Sequence, residues 1–111
     1  MISADDVERA LDWLVANANK AAQARANRVY LEQFIRVVRA ERQVQEQQAG
    51  ASAAAAEAIA LSSGAYKDAL LAYKEAVEQD ERQRFLCAAA EAKIEAFRTL
   101  EATRRAQERL S

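Results

Sequence analysis

The stretch AYKDALLAYKEAVEQDERQRFLCAAAEAKIEAFRTLEATRRAQERL, Ala65 to Leu110, decides the fold class. It contains no Gly and no Pro, and Ala, Glu, Arg, Leu and Lys fill most of it, so nothing in it stops a helix. Continuous, it would run roughly 70 Å at 1.5 Å per residue. A helix that long cannot bury itself in a chain of 111 residues and needs partners. Tyr66, Leu70, Tyr73 and Val77 draw one apolar stripe. After the polar run EQDERQR (Glu78 to Arg84), Phe85, Leu86, Ala90, Ile94, Phe97 and Leu100 draw another. At 100° per residue the second stripe is rotated roughly 150° from the first. The expectation is therefore a bend near Gln79–Arg82, or two halves that pack on different neighbours, and no simple sustained heptad coiled coil.

Upstream, Ser3-Ala4-Asp5-Asp6 reads as a capping box with Asp6 in place of Glu. Val7, Leu11, Leu14 and Ala18 follow as an apolar stripe, and Trp13 points away from it as a second packing surface or a partner anchor. Asn17-Ala18-Asn19 suggests a bend or short connection. A second helix follows over about 20–48, with Ala22, Ala26, Val29, Tyr30, Val37 and Val44 as its main face. Leu31 and Ile35 point away from that face, which suits a helix with two apolar sides at an oligomer interface. Gln43 to Gly50 loses the pattern. The Ala-rich 51–61 reads as a short helix or connector, and Ser62-Ser63-Gly64 punctuates the chain.

The expected architecture is all-α, a single helical domain over 1–111. Helices of about 4–17, 20–48 and 65–109 would form a long hairpin or three-helix arrangement, joined into a homo-oligomer. Composition supports association. Of the 51% hydrophobic residues, 28 are Ala, so large apolar side chains are few, and a small chain of extended helices buries little by itself.

The chemistry on offer is sparse. There is no His and one Cys, Cys87, which removes the commonest general base and the usual zinc spacings. Gly50 and Gly64 are isolated, so no phosphate-cradling loop exists. Glu75, Glu78, Asp80 and Glu81 read as a solvated acidic segment. Catalytic, metal and cofactor residues are expected to be none. Cys87 reads as a small apolar residue in a reducing cytosol. No basic-then-apolar leader precedes the first helix, and no uncharged apolar run approaches a membrane span.

With 16 basic and 17 acidic residues the net charge is −1, which argues against a generic nucleic-acid coat. A local stripe of Arg25, Arg28, Arg36 and Arg39, interrupted by Glu32, remains a candidate nucleic-acid contact, with Arg98, Arg104 and Arg105 in support. Paired solvation by acidic neighbours is the plainer reading. Candidate partner or oligomer contacts are Trp13, Leu31, Ile35, Leu86, Ile94 and Phe97.

Three segments, SADDVERALDWLVANA, RANRVYLEQF and AVEQDERQRFLCAAAEAKIEAFRTLEATRRA, together resemble a group of small helical proteins of tailed bacteriophages and prophages, often encoded near recombination or replication genes. Phe97 stands where that group tends to have Trp. The resemblance implies the bacterial host cytosol and an accessory role beside DNA-processing proteins. It carries over no catalytic residue. The functional expectation is a non-enzymatic interaction or accessory factor. The alternatives are a direct nucleic-acid binder and a structural or scaffolding component.

Overall fold

Local chemistry sets the helix ends. Ser3 and Asp6 form the reciprocal box: the Asp6 N–H donates to Ser3 Oγ at 3.2 Å, and the Ser3 N–H donates to Asp6 Oδ2 at 2.9 Å. The first helix, α1, then runs unbroken over Ala4–Gln48. It ends in a Schellman turn, in which the Ala51 N–H reaches Glu46 O and the Gly50 N–H reaches Gln47 O. Gly50 sits at φ +105°, a conformation that L side chains rarely adopt. Ser52 caps the short α2 (Ala53–Ser62) by accepting from the Ala55 N–H. Ser63 then serves two helices. Its N–H and hydroxyl both donate to Ala60 O, closing α2, and its Oγ accepts the Tyr66 N–H, opening α3 (Gly64–Leu110).

The computed structural model describes residues 1–111 and is 92% helical, with three helices and no strand. The all-α class is therefore shown. One expected boundary changes. The helices expected at 4–17 and 20–48 are one, because Asn17 is not a breaker: it lies on the packed side of α1 and hydrogen-bonds there. The polar run Glu78–Arg84 is likewise helical throughout.

The chain forms two compact units. Unit 1 combines Met1–Ala22 with Glu81–Ser111, and unit 2 is Gln23–Asp80. In unit 1 the packed positions include a row of Val7, Ala10, Leu14, Asn17 and Ala21 on α1 and a row of Gln83, Cys87, Ala90, Ile94, Phe97 and Glu101 on α3. Asn17 Nδ2 donates to Gln83 Oε1, while Ala10 and Trp13 lie beside Leu86, Ala89 and Lys93, so the two segments run antiparallel. In unit 2 they include a row of Ala24, Arg28, Leu31, Ile35, Val38 and Arg42 on α1 and a row of Tyr66, Ala69, Tyr73, Ala76 and Asp80 on α3. Arg28 pairs with Asp80, and Ile35 lies beside Tyr66 and Tyr73, again antiparallel. Also in unit 2, Ala56 and Ala60 of α2 are wholly solvent-inaccessible.

In both helices these positions step by alternating threes and fours, a spacing of 3.5 residues. Within each unit that is coiled-coil spacing. It was hidden because half of the positions are Ala or polar.

Packing also inverts the expected faces of α1. Leu31 and Ile35, expected to point outward, lie in the intramolecular seam. Val29, Tyr30, Val37 and Val44, expected as the main packed face, are exposed. The buried apolar residues are all Ala, joined by Asp80 and Gln83, and no large side chain is fully buried. Every buried side-chain polar atom has a hydrogen-bond partner.

Candidate interaction surfaces

Unit 1 carries a groove of about 380 Å³ between the start of α1 and α3. Trp13 and Leu86 line it together with Ala10, Ala89 and Ala90, of which Ala10 and Ala90 are buried. Arg9 at the rim is engaged by Asp6. The Ser3 backbone N–H and hydroxyl, with Arg9, hold the Asp6 carboxyl below the usual carboxylate range. Two of the sequence-predicted contacts, Trp13 and Leu86, thus meet in one groove. Phe85 stands beside it in sequence and is 72% exposed.

Ile94 and Phe97 lie on the packed side of α3 and are half-buried. Beyond Glu101 every residue of α3 is exposed, because the antiparallel α1 segment has reached its start.

Unit 2 carries the second surface. Tyr30, Phe34, Val37 and Val44 are all exposed on α1, with Tyr30 at 64%. The rings of Tyr30 and Phe34 stack at 5.8 Å between centroids and 16° between planes. Offset stacking of this kind gives a broad apolar plate. Phe34 was not among the sequence-predicted contacts. The signal available for it was the step of four from Tyr30 and of three to Val37.

The arginines divide. Arg28 leaves the proposed stripe altogether: it faces inward and its Nη1 donates to Asp80 Oδ2 at 3.1 Å. Asp80, expected in a solvated acidic segment, is a buried seam residue with a side chain only 4% exposed. Arg98 pairs with Glu95 at 3.3 Å, and Arg104 pairs with Glu101 at 2.7 Å and with Glu108 at 3.0 Å. The Arg104 guanidinium holds the Glu101 carboxyl down, and Glu101 in turn raises Arg104. Arg105 Nε reaches the Glu101 carbonyl at 3.4 Å. Arg25, Arg36 and Arg39 remain exposed and make no ion pair, and Glu32 lies in one groove with Arg36 and Arg39.

No group of three or more acidic or Cys side chains is placed to hold a metal ion. No helix is long and apolar enough to cross a membrane. No protein-family model, curated protein or solved structure matches the chain.

Proposed function

We propose that this chain is a non-enzymatic helical interaction protein that acts as a homo-oligomer and presents helix faces to a protein partner. One observation carries the reading: the buried apolar residues are all alanines, while sixteen large apolar side chains are exposed. The chain exposes 8175 Å². A folded monomer of its 12.3 kDa mass typically exposes about 6,100 Å². The surplus of about 2,000 Å² exceeds the ~800 Å² per partner of a standard protein interface. The Trp13–Leu86 groove and the Tyr30–Phe34 plate are two places where large apolar side chains adjoin at this surface. An aromatic in a partly formed pocket is the usual composition of an interface anchor.

The resemblance to small phage-encoded helical proteins fits an accessory factor for recombination or replication in the bacterial cytosol, and we include that setting in the proposal. A direct nucleic-acid contact is the second reading. It is favoured by the exposed, unpaired Arg25, Arg36 and Arg39, and weakened by the ion pairs of Arg28, Arg98 and Arg104. Three isolated cations on a chain of net charge −1 make a small electrostatic footprint.

Light scattering on a sizing column tests both, at low and moderate salt and with or without a short DNA. A discrete oligomer that ignores DNA is expected. A salt-sensitive shift onto DNA would favour the arginine reading instead, and open-ended assemblies would favour a scaffolding component. A clean monomer at every concentration would remove the self-association half of the proposal.

A further inference from the structure

The exposed residues of α1 repeat the rule that governs its packed side. Tyr30, Phe34, Val37, Glu41 and Val44 step by four, three, four and three. A 3.5-residue spacing keeps one side of a helix facing a neighbour that runs alongside it. The packed seam has such a neighbour in α3. The outer seam has none within the chain, since all five residues are exposed.

We propose that a second copy of this chain covers it, with the two α1 helices antiparallel about Val37. This rests on the self-association reading above and gives it a face and a geometry. The face is self-complementary in that orientation. Val37 meets Val37 on the two-fold axis. Tyr30 meets Val44, a large side chain against a smaller one, and the Phe34 ring packs along the aliphatic stem of Glu41 from the other copy, whose carboxylate reaches the edge of the seam. Glu41, the only charge in the seam, lies four residues from the axis and is thereby kept about eight residues of helix rise from the Glu41 of the other copy. A parallel pairing would set Glu41 against Glu41, at a cost. The antiparallel pairing is isologous and closes at two copies. The surface surplus of the chain is large enough to supply such an interface.

The test is the dimer dissociation constant of the full chain, by sedimentation, for wild type, Val37→Glu and Val15→Glu. Val15 is 79% exposed on unit 1 and serves as the control. Because Val37 is already exposed, the variant keeps its fold, which its helical circular dichroism verifies. Val37→Glu is expected to weaken the dimer by about 100-fold or more, as two carboxylates meet on the axis without partners. Val15→Glu is expected to leave it unchanged. Single cysteines in a Cys87→Ser background then read the geometry. Val37→Cys should form a disulfide between copies. Tyr30→Cys and Val44→Cys should each fail alone and succeed when mixed.

A wild-type dimer that Val37→Glu does not weaken would overturn this face and leave the self-association reading standing. Self-crosslinking of Tyr30→Cys would overturn the antiparallel geometry. A wild-type chain that stays monomeric would overturn both readings.

Discussion

Removing one partner of the Arg28–Asp80 pair should cost far more than removing both. The Asp80 side chain is 4% exposed and that of Arg28 is 29% exposed, with 3.1 Å between Nη1 and Oδ2. Truncating one member of a buried pair typically costs about 3–5 kcal/mol, because the survivor keeps its desolvation without its partner. The two halves are not equivalent here. Arg28→Leu leaves the carboxylate almost wholly out of water and should cost the full amount. Asp80→Leu leaves a guanidinium that water can partly reach, so about 2–3 kcal/mol is expected. Arg28→Leu/Asp80→Leu places two aliphatic side chains at adjoining seam positions and should return to within about 1 kcal/mol of wild type or exceed it. Thermal unfolding followed by circular dichroism measures all four chains at one protein concentration, since association shifts the midpoint. At about 4 °C per kcal/mol, Asp80→Leu should melt roughly 10 °C below wild type and Arg28→Leu lower still. Near-equal small losses in the two single variants would refute the buried pair. A double variant no better than the worse single would show that the site rejects apolar side chains for a packing reason.

Other perturbations read the connections. Gly50→Ala should cost about 1–2 kcal/mol in urea unfolding; no atom lies within 4 Å of the added methyl, so the whole loss is backbone strain at positive φ. Ser63→Ala removes the side-chain bonds to Ala60 O and from the Tyr66 N–H, and should cost about 0.5–2 kcal/mol, with faster amide exchange at the α2–α3 junction. Asp6 has a folded pKa below its unfolded value. Its stabilising contribution is therefore complete above the unfolded value, near about pH 4, and is lost as pH falls through the folded one. Acid should fray the start of α1 first, and Asp6→Asn should flatten that pH dependence in amide exchange of residues 4–8.

The capping chemistry was legible from sequence because it is local. Ser3 with Asp6, and Ser63, each act on neighbours three residues away, whereas the closing turn at Gly50 was not read from the sequence. Helix content was legible for the same reason: no residue of Ala65–Leu110 opposes a helix, and none forms a strand. The seams were not, and Leu31 and Ile35 show why. Counting large apolar residues favours Val29, Tyr30, Val37 and Val44, which outnumber them on α1. The packed side holds Ala21, Ala24 and Arg28 in the same row, so by hydrophobicity alone it reads as the weaker face. Burial here follows size and pairing across the helices, and pairing is invisible along one helix. Ala69, Ala76 and Ala90 on α3 and Ala10, Ala21 and Ala24 on α1 occupy seam positions, but 28 alanines recur at many helical spacings, so they do not mark the seams in the sequence.

The expected rotation of roughly 150° between the two halves of α3 has a specific origin. Tyr73 and Ile94 are three heptads apart. Counting 100° per residue drifts by about 20° per heptad against a 3.5-residue repeat, so the count accumulates about 60° between these two positions. The remainder comes from flanking residues. Leu70 and Val77 lie on one border of the seam, and Leu86 and Leu100 lie on the other. Both corrections point to the polar run Glu78–Arg84, which looked like an interruption of the core. It is where Asp80 meets Arg28 in unit 2 and where Gln83 meets Asn17 in unit 1. Each polar residue in a seam penalises any register that leaves it unpaired. Alanine seams specify register poorly, since one methyl fits against another at many offsets. The polar pairs therefore supply in specificity what the alanines lack. Restoring stability with leucines at Arg28 and Asp80 should come with a loss of unique alignment, visible as broadened methyl resonances near Ala24 and Ala76 while helix content stays unchanged.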